Sequence, residues 1–235
     1  MDQRGALSSE PTTSSQPGSR DWEDDDVARQ WTAGDRLEPL LQLPRQMAAS
    51  LLGAGEPEVR RVVDIGSGPG AFLEAVLRRC PEAHGVWTDV SEAMRTMAAD
   101  RLGDLAGRIE YRLLDAAHIA EVGGPGTVDA VVTSRVSHHL QPSALRSFYA
   151  DARRLLPAGG WIANLDHVSL DQPWAGRLAA ARAELIPPNP SPHRHQRPLP
   201  ALEDHLGALA ACGDLDVVVP WRAFATVLIL ARRTR

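Results

Sequence analysis

From residue 61 onward, short apolar runs alternate with stretches of helical periodicity, and that alternation predicts the architecture. Residues 61–65 (RVVDI) form an apolar run that stops at Gly66-Ser67-Gly68-Pro69-Gly70. Beyond the glycines, Leu73, Val76, Leu77 and Cys80 recur at i, i+3, i+4 and i+7, one face of a helix. Similar short runs at 83–88, 109–114, 128–133 and 161–165 predict four more strands, with Asp89 and Asp115 closing the second and third. Ser91 suits the N-cap of a helix that carries Met94, Met97 and Ala98. Leu145, Phe148, Tyr149, Ala152 and Leu156 share another helix face, which stops at Pro157-Ala158-Gly159-Gly160. Two last runs, 215–219 and 223–231, are joined too closely for a parallel crossover, so they predict an antiparallel hairpin. Strands and helices in this rhythm form βαβ units. The expected fold class is α/β, a doubly wound, mostly parallel sheet with a C-terminal antiparallel hairpin.

The flanks read differently. Residues 1–20 are rich in Ser, Thr, Gln, Pro and Gly and predict a disordered tail. The acidic cluster at Asp21 and residues 23–26 reads as a solvated helix start, since carboxylates favour the positive end of a helix dipole. Residues 21–55 show helical patterning broken near Gly34, Pro39 and Pro44, too short for a separate domain. They predict a small N-terminal helical cap over a main domain at 56–235. Within that domain, residues 168–200 break the rhythm: one amphipathic helix at 175–185, then PPNPSPHRHQRPLP with six prolines. Such a segment predicts a lid-like insert.

Composition narrows the chemistry. The chain has 235 residues, 43% of them hydrophobic and 23% charged, an ordinary globular balance for one or two domains. A formal net charge of −5 argues against a protein that coats nucleic acid or an anionic membrane. All 25 basic residues are Arg, which removes lysine Schiff-base and P-loop lysine chemistry. Cys80 and Cys212 have no Cys or His neighbour at ligand spacing, so neither a disulfide framework nor a structural zinc is expected. His193 and His195 form an H-x-H without a nearby carboxylate, which reads as a solvated loop, and no metal is expected. The longest apolar run is about half a membrane span, and the N-terminus has no apolar signal core. A cytoplasmic protein with no membrane partner is expected, with monomer and homodimer both open.

In an open α/β sheet, ligands bind beyond the carboxyl ends of the strands, so the glycine loop is where chemistry is expected. Gly66-x-Gly68-x-x-Ala71 fits a dinucleotide fingerprint, and Asp89 stands where an acid can meet ribose hydroxyls. Those features alone fit NAD as well as S-adenosylmethionine. Further segments resemble one family in sequence. Residues 62–70 (VVDIGSGPG) resemble the first motif of the class I S-adenosylmethionine-dependent methyltransferases, and Asp89-Val90-Ser91-Glu92-Ala93-Met94 their second. Leu114-Asp115-Ala116 is similar to the acid that follows their third strand. Residues 134–140 (SRVSHHL) are similar to the end of strand four in small-molecule members, and residues 155–160 (LLPAGG) to their turn before strand five.

The resemblance implies a Rossmann-like fold, S-adenosylmethionine as cofactor, and in-line methyl transfer to a small-molecule acceptor. It implies that Asp64, Gly66, Ser67, Gly68 and Gly70 hold the methionine end. Asp64 read by itself also fits a turn-capping carboxylate. Asp89 would bind the ribose, Val90 and Met94 would line the adenine, and Asp115 with Ala116 would meet its edge. Ser134 and Arg135 would pass beneath the sulfonium. His139 and His138 are the catalytic candidates, as proton acceptor or acceptor-orienting group, because imidazole titrates in the useful range. One of them packed as a neutral core histidine is the other reading. Trp31, Arg36, Arg45 and Trp174 are candidates to line the acceptor side or simply to pack. RNA or protein as acceptor, and an NAD-dependent oxidoreductase, are the alternative readings.

Overall fold

The computed structural model describes residue 22 and residues 24–170, 173–186 and 198–234. The expected N-terminal tail, Asp21 and His193 and His195 lie outside the described residues. Two helices come first, α1 (Asp25–Gly34) and α2 (Glu38–Leu52). The alternating part runs β1 (Arg61–Ile65), α3 (Ala71–Arg79), β2 (His84–Asp89), α4 (Glu92–Arg101), β3 (Ile109–Leu113), β4 (Ala130–Ser134), α5 (Pro142–Leu155) and β5 (Trp161–His167). The chain continues with α6 (Trp174–Leu185), α7 (Leu202–Ala210), β6 (Leu215–Ala223) and β7 (Thr226–Arg233). Short 3₁₀ turns lie at Gly103–Arg108, Ala116–Val122 and Ser137–His139, in the connections around β3 and β4.

The seven strands form one sheet in the order β3-β2-β1-β4-β5-β7-β6. The first five are mutually parallel, and β7 runs antiparallel between β5 and β6. Strand order reverses at β1, which has β2 on one side and β4 on the other, so a crevice opens at their carboxyl ends. The fold is the doubly wound, mostly parallel sheet with a terminal hairpin that the periodicity predicts.

Both sheet faces are covered, as a parallel sheet requires. One core layer packs α1, α2, α3 and α4 on the sheet through Ala28, Leu41, Leu52, Phe72, Leu73 and Trp87. The other packs α5 and α7 through Phe148, Tyr149, Leu155 and Leu209. The N-terminal helices therefore share the core of the sheet. Their start is built by the acidic cluster: Asp24 caps α1 by accepting from Asp26 N and Val27 N. Asp25 reaches across to the N-terminus of α4, accepting from Ala93 N at 3.0 Å. These carboxylates dock helices and do more than face solvent.

Other boundaries differ in detail. The fourth strand begins at Ala130, two residues later than the pattern suggests, because Asp129 turns away to accept from Arg60 N and Arg61 N at 2.9 and 2.8 Å. The fifth continues to His167, where β7 supplies partners up to Thr226. The helix expected to be amphipathic, α6, buries none of its residues, and Trp174 is exposed. Its small residues pattern it without giving it a core to face.

Under α5, a polar chain crosses the core. Asn164 Nδ2 donates to Ser137 Oγ at 2.8 Å and to Tyr149 Oη at 2.7 Å, and Tyr149 Oη meets His205 Nδ1 at 2.8 Å. Burial pushes the Tyr149 phenol up and the His205 imidazole down, so both are held neutral. Tyr149→Phe removes the shared oxygen and strands buried polar partners, so it should cost about 1–3 kcal/mol. A denaturant melt with an unchanged midpoint would contradict this.

Candidate active site

The loop from Gly66 to Gly70 is shaped by close packing on both sides. Gly66, Gly68 and Gly70 all have positive φ, at 59°, 54° and 83°. A Cβ on Gly66 would lie 2.3 Å from Val136 Cγ2, so the close approach of the two loops needs glycine there. A Cβ on Gly68 would meet only Met94 Sδ at 3.9 Å and would project into open space. That space is the crevice at the strand ends.

Carboxylates from β1 and β2 hold this loop. Asp64 is buried; its Oδ2 accepts from Ser67 Oγ at 2.6 Å and from Leu73 N at 3.1 Å. Asp89 Oδ2 accepts from Gly68 N at 2.9 Å and its Oδ1 from Ser91 N at 3.0 Å. The indole of Trp87, fully buried, donates to Gly68 O at 2.9 Å. Burial raises the Asp89 carboxyl, while the N–H groups of Gly68, Ser91 and Val90 pull it down.

Gly66, Gly68, Asp89, Val90, Met94, Asp115, Ala116, Ser134, Arg135 and His139 line one cleft. Asp64, Ser67, Gly70 and His138 do not line it. Asp64 and Ser67 bond each other behind the loop, the arrangement of a turn-capping carboxylate, and Asp64 Oδ1 is buried without a hydrogen-bond partner. Gly70 is buried against Leu102 at the start of α3. Of the acceptor-side candidates, Trp31 lines the cleft, whereas Arg45 is buried beside Glu38 at 2.7 Å and Trp174 faces outward.

Four more residues line the cleft: Leu114, Val136 and Leu140, which stand within the motif segments but were given no role there, and Trp22, which lies outside them. Asp166, at the end of β5, has a role that the motifs do not give it. It accepts from Ser137 Oγ, His138 N, His138 Nδ1 and His167 N at 2.5, 3.0, 2.5 and 2.7 Å. Pairing of Ser134 with Leu165 places the end of β5 beside the turn after β4, and that register was the available signal. Burial acts to raise Asp166, but His138, His167 and Ser137 outweigh it and hold the carboxyl well below the usual range. The ring of His138 lies 3.9 Å from that of His139, so the buried Asp166–His138 pair underlies the imidazole that faces the cleft.

Arg135 stands apart. It has φ 60°, in the left-handed region, and its amide donates to Leu165 O at 3.0 Å. Its guanidinium pairs with Asp35 at 2.8 Å, with only 10% and 8% of the two side chains exposed, and stacks 4.4 Å over Trp31. Through Arg135 the end of β4 is tied to the junction of α1 and α2.

Comparison with known proteins agrees with this geometry. Residues 62–160 match the family model described as "Methyltransferase domain". Over those residues the chain is similar to a methyltransferase domain. It is 31% identical over 139 residues to 3-hydroxy-5-methyl-1-naphthoate 3-O-methyltransferase from Streptomyces sahachiroi, covering 58% of this chain and 38% of that protein. It is 34% identical over 89 residues to malonyl-[acyl-carrier protein] O-methyltransferase from Magnetococcus marinus, covering 38% of this chain and 32% of that protein. The matches thus span well under half the length of these curated relatives. An O-methyltransferase family protein from Burkholderia thailandensis shares the fold, with TM-score 0.68 and 20% identity over 93% of this chain and 63% of that one.

S-adenosylmethionine is the cofactor of this methyltransferase class, and the cleft fits it. Gly68 leaves room for a ligand against the loop backbone, as its open Cβ direction shows. Ser134 Oγ is buried in the lining without a hydrogen-bond partner. Asp89 and Asp115 close adjacent strands at acceptor positions suited to ribose and adenine donors. Among the described residues, no group of three or more His, Cys, Asp or Glu is arranged to hold a metal, and no helix is long and apolar enough to cross a membrane.

Burial raises Asp64 to about 7, against the Ser67 and Leu73 donors and Arg45 and with help from Asp89. Its folded pKa thus lies above the unfolded one. Its contribution to stability is largest below pH 4 and is lost as pH climbs to about 7. In Asp64→Asn, the amide oxygen can keep both donors, and the NH₂ takes the place of Oδ1, which has no partner. Relative to wild type, Asp64→Asn should therefore gain on the order of 4 kcal/mol between pH 4 and 7. Parallel stability–pH curves for the two proteins would contradict that origin.

Proposed function

We propose that the protein transfers a methyl group from S-adenosylmethionine to a small-molecule acceptor, with His139 as the proton acceptor at the reacting atom. The observation that carries this reading is a single cleft lined both by Gly68, Asp89 and Asp115 and by His139. The cofactor supplies a methyl carbon made electrophilic by a sulfonium leaving group.

The protein's own work is alignment, exclusion of water and movement of one proton. Asp89 and Asp115 fix the adenosyl end, while the loop backbone at Gly68 and the Ser134 hydroxyl meet the methionine end. Trp22, Trp31 and Leu140 shield the remainder of the cleft from solvent. His139 stands over His138, whose ring is fixed by Asp166 at 2.5 Å. Asp166 and His138 are positioning residues, while His139 faces the acceptor. A proton must leave when the acceptor is a hydroxyl, and a neutral imidazole can take it near neutral pH.

A net charge of −5 supports a small acceptor over nucleic acid, and the same composition supports a cytoplasmic role in small-molecule metabolism. Monomer and homodimer are equally compatible with this reading.

Calorimetric titration tests it. The protein should bind S-adenosylmethionine and S-adenosylhomocysteine at micromolar concentrations and should not bind NAD. Asp89→Ala should weaken both adenosyl ligands at least tenfold, since it removes a charge-assisted ribose contact and frees Gly68 N (~1.4 kcal/mol or more). Binding of NAD alone would overturn the reading.

A further inference from the structure

We propose that the acceptor is a flat aromatic ring bearing a hydroxyl group, neutral or anionic, held against the cleft wall that Trp22, Trp31 and His139 form. The inference rests on the methyl-transfer reading above and names the class of molecule it acts on. Strand order divides the cleft: Asp89 and Asp115 close β2 and β3, whereas residues 134–140 come after β4 on the other side of β1. With strands ~4.8 Å apart, the ends of β2 and β4 stand ~10 Å from each other. The cofactor's adenosyl group belongs to the first side, which leaves the second for the acceptor.

That second side is built of rings. Trp22 meets Trp31 edge to face, with centroids 5.4 Å apart and planes at 88°. Trp22 also meets His139 at 6.2 Å and 65°. Val136 and Leu140 complete the lining with apolar surface. Rings set edge to face present their edges and faces to a third ring, the arrangement aromatic groups favour.

Charge then selects among aromatic acceptors. The face of Trp31 already carries the guanidinium of Arg135. The Asp35 carboxylate beside it is committed to Arg135 and to Leu37 N, at 2.8 and 3.0 Å. The acids of the cleft, Asp89 and Asp115, lie at its other end. Glu38 likewise faces Arg135 at 3.9 Å and Arg45 at 2.7 Å, so no carboxylate near Trp31 is left to pair with an ammonium-bearing acceptor, whereas an aryl hydroxyl or a hydroxyaryl carboxylate needs no such partner. In the reaction, the hydroxyl proton passes to His139 and the aryl oxygen forms its bond to the methyl carbon. The carbon–sulfur bond breaks, and its electron pair leaves on the sulfur, giving an aryl methyl ether and a neutral thioether.

The test is calorimetric titration of the S-adenosylhomocysteine-saturated protein with three probes: 2-naphthol, its saturated counterpart decahydro-2-naphthol, and the cationic 2-naphthylmethylamine. 2-Naphthol should bind about tenfold or more tighter than either of the others. Trp22→Ala should abolish the preference over the saturated ring, and Trp22→Phe should keep most of it. Both variants should bind S-adenosylhomocysteine as wild type does, which shows that they fold. Equal binding of naphthol and its saturated counterpart, tighter binding of the amine, or an undiminished preference in Trp22→Ala would overturn the proposal. If wild-type protein fails to bind S-adenosylhomocysteine, the methyl-transfer reading itself falls, and the acceptor inference with it.

Discussion

Two carboxylates at adjacent strand ends hold a five-residue loop in a course that leaves its backbone facing a cleft, and the site depends on that arrangement. Asp64 takes the Ser67 hydroxyl and the Leu73 amide, which fixes the loop to the start of α3. Asp89 takes the Gly68 amide from the other side. Buried carboxylates bonded to backbone N–H groups are costly to create and costly to disturb. The cost of burial is visible in Asp64, raised to about 7. What it secures is a rigid cradle: Gly66 is pressed against Val136 and Gly68 is left open.

A second constraint ties the N-terminal helices to this cradle. Arg135, in a left-handed backbone conformation at the end of β4, pairs with Asp35 and stacks on Trp31. Asp25 accepts from the N-terminus of α4, and Thr32 Oγ1 lies 3.7 Å from Met94 Sδ. The helix that brings Trp31 to the cleft is thus anchored on the same strand ends that line it. The residues proposed to recognise the acceptor and those proposed to hold the donor are linked by hydrogen bonds, which favours alignment of the reacting atoms.

The sheet was readable from the chain because its signals are local. Apolar runs of five or six residues, glycine turns and single acids at strand ends give order and direction, and two closely joined runs give the hairpin, though its turn lies at 224–225 and residues 220–222 belong to β6. The same locality explains the cofactor half of the site, where consecutive residues after β1, β2, β3 and β4 line the cleft. What stayed hidden depends on pairs distant in sequence. Asp166 meets His138 across two strands, Asp35 meets Arg135 across a hundred residues, and Trp22, ahead of α1, meets His139. Asp64 bonds Ser67 and Leu73 as a cap does, the reading its residue type suggests beside the ligand role its motif implies. α6 carries helical patterning but no buried face, so periodicity alone overstated its packing.

The central claim is that the adenosyl group lies across the ends of β1, β2 and β3 with its reacting end beside Ser134 and His139. A crystal structure of the protein with S-adenosylhomocysteine tests it most directly. The account predicts ribose oxygens within hydrogen-bond distance of Asp89, the adenine edge at Asp115, and the sulfur facing the His139 side of the cleft. Density for the ligand elsewhere, or a ribose turned away from Asp89, would contradict it.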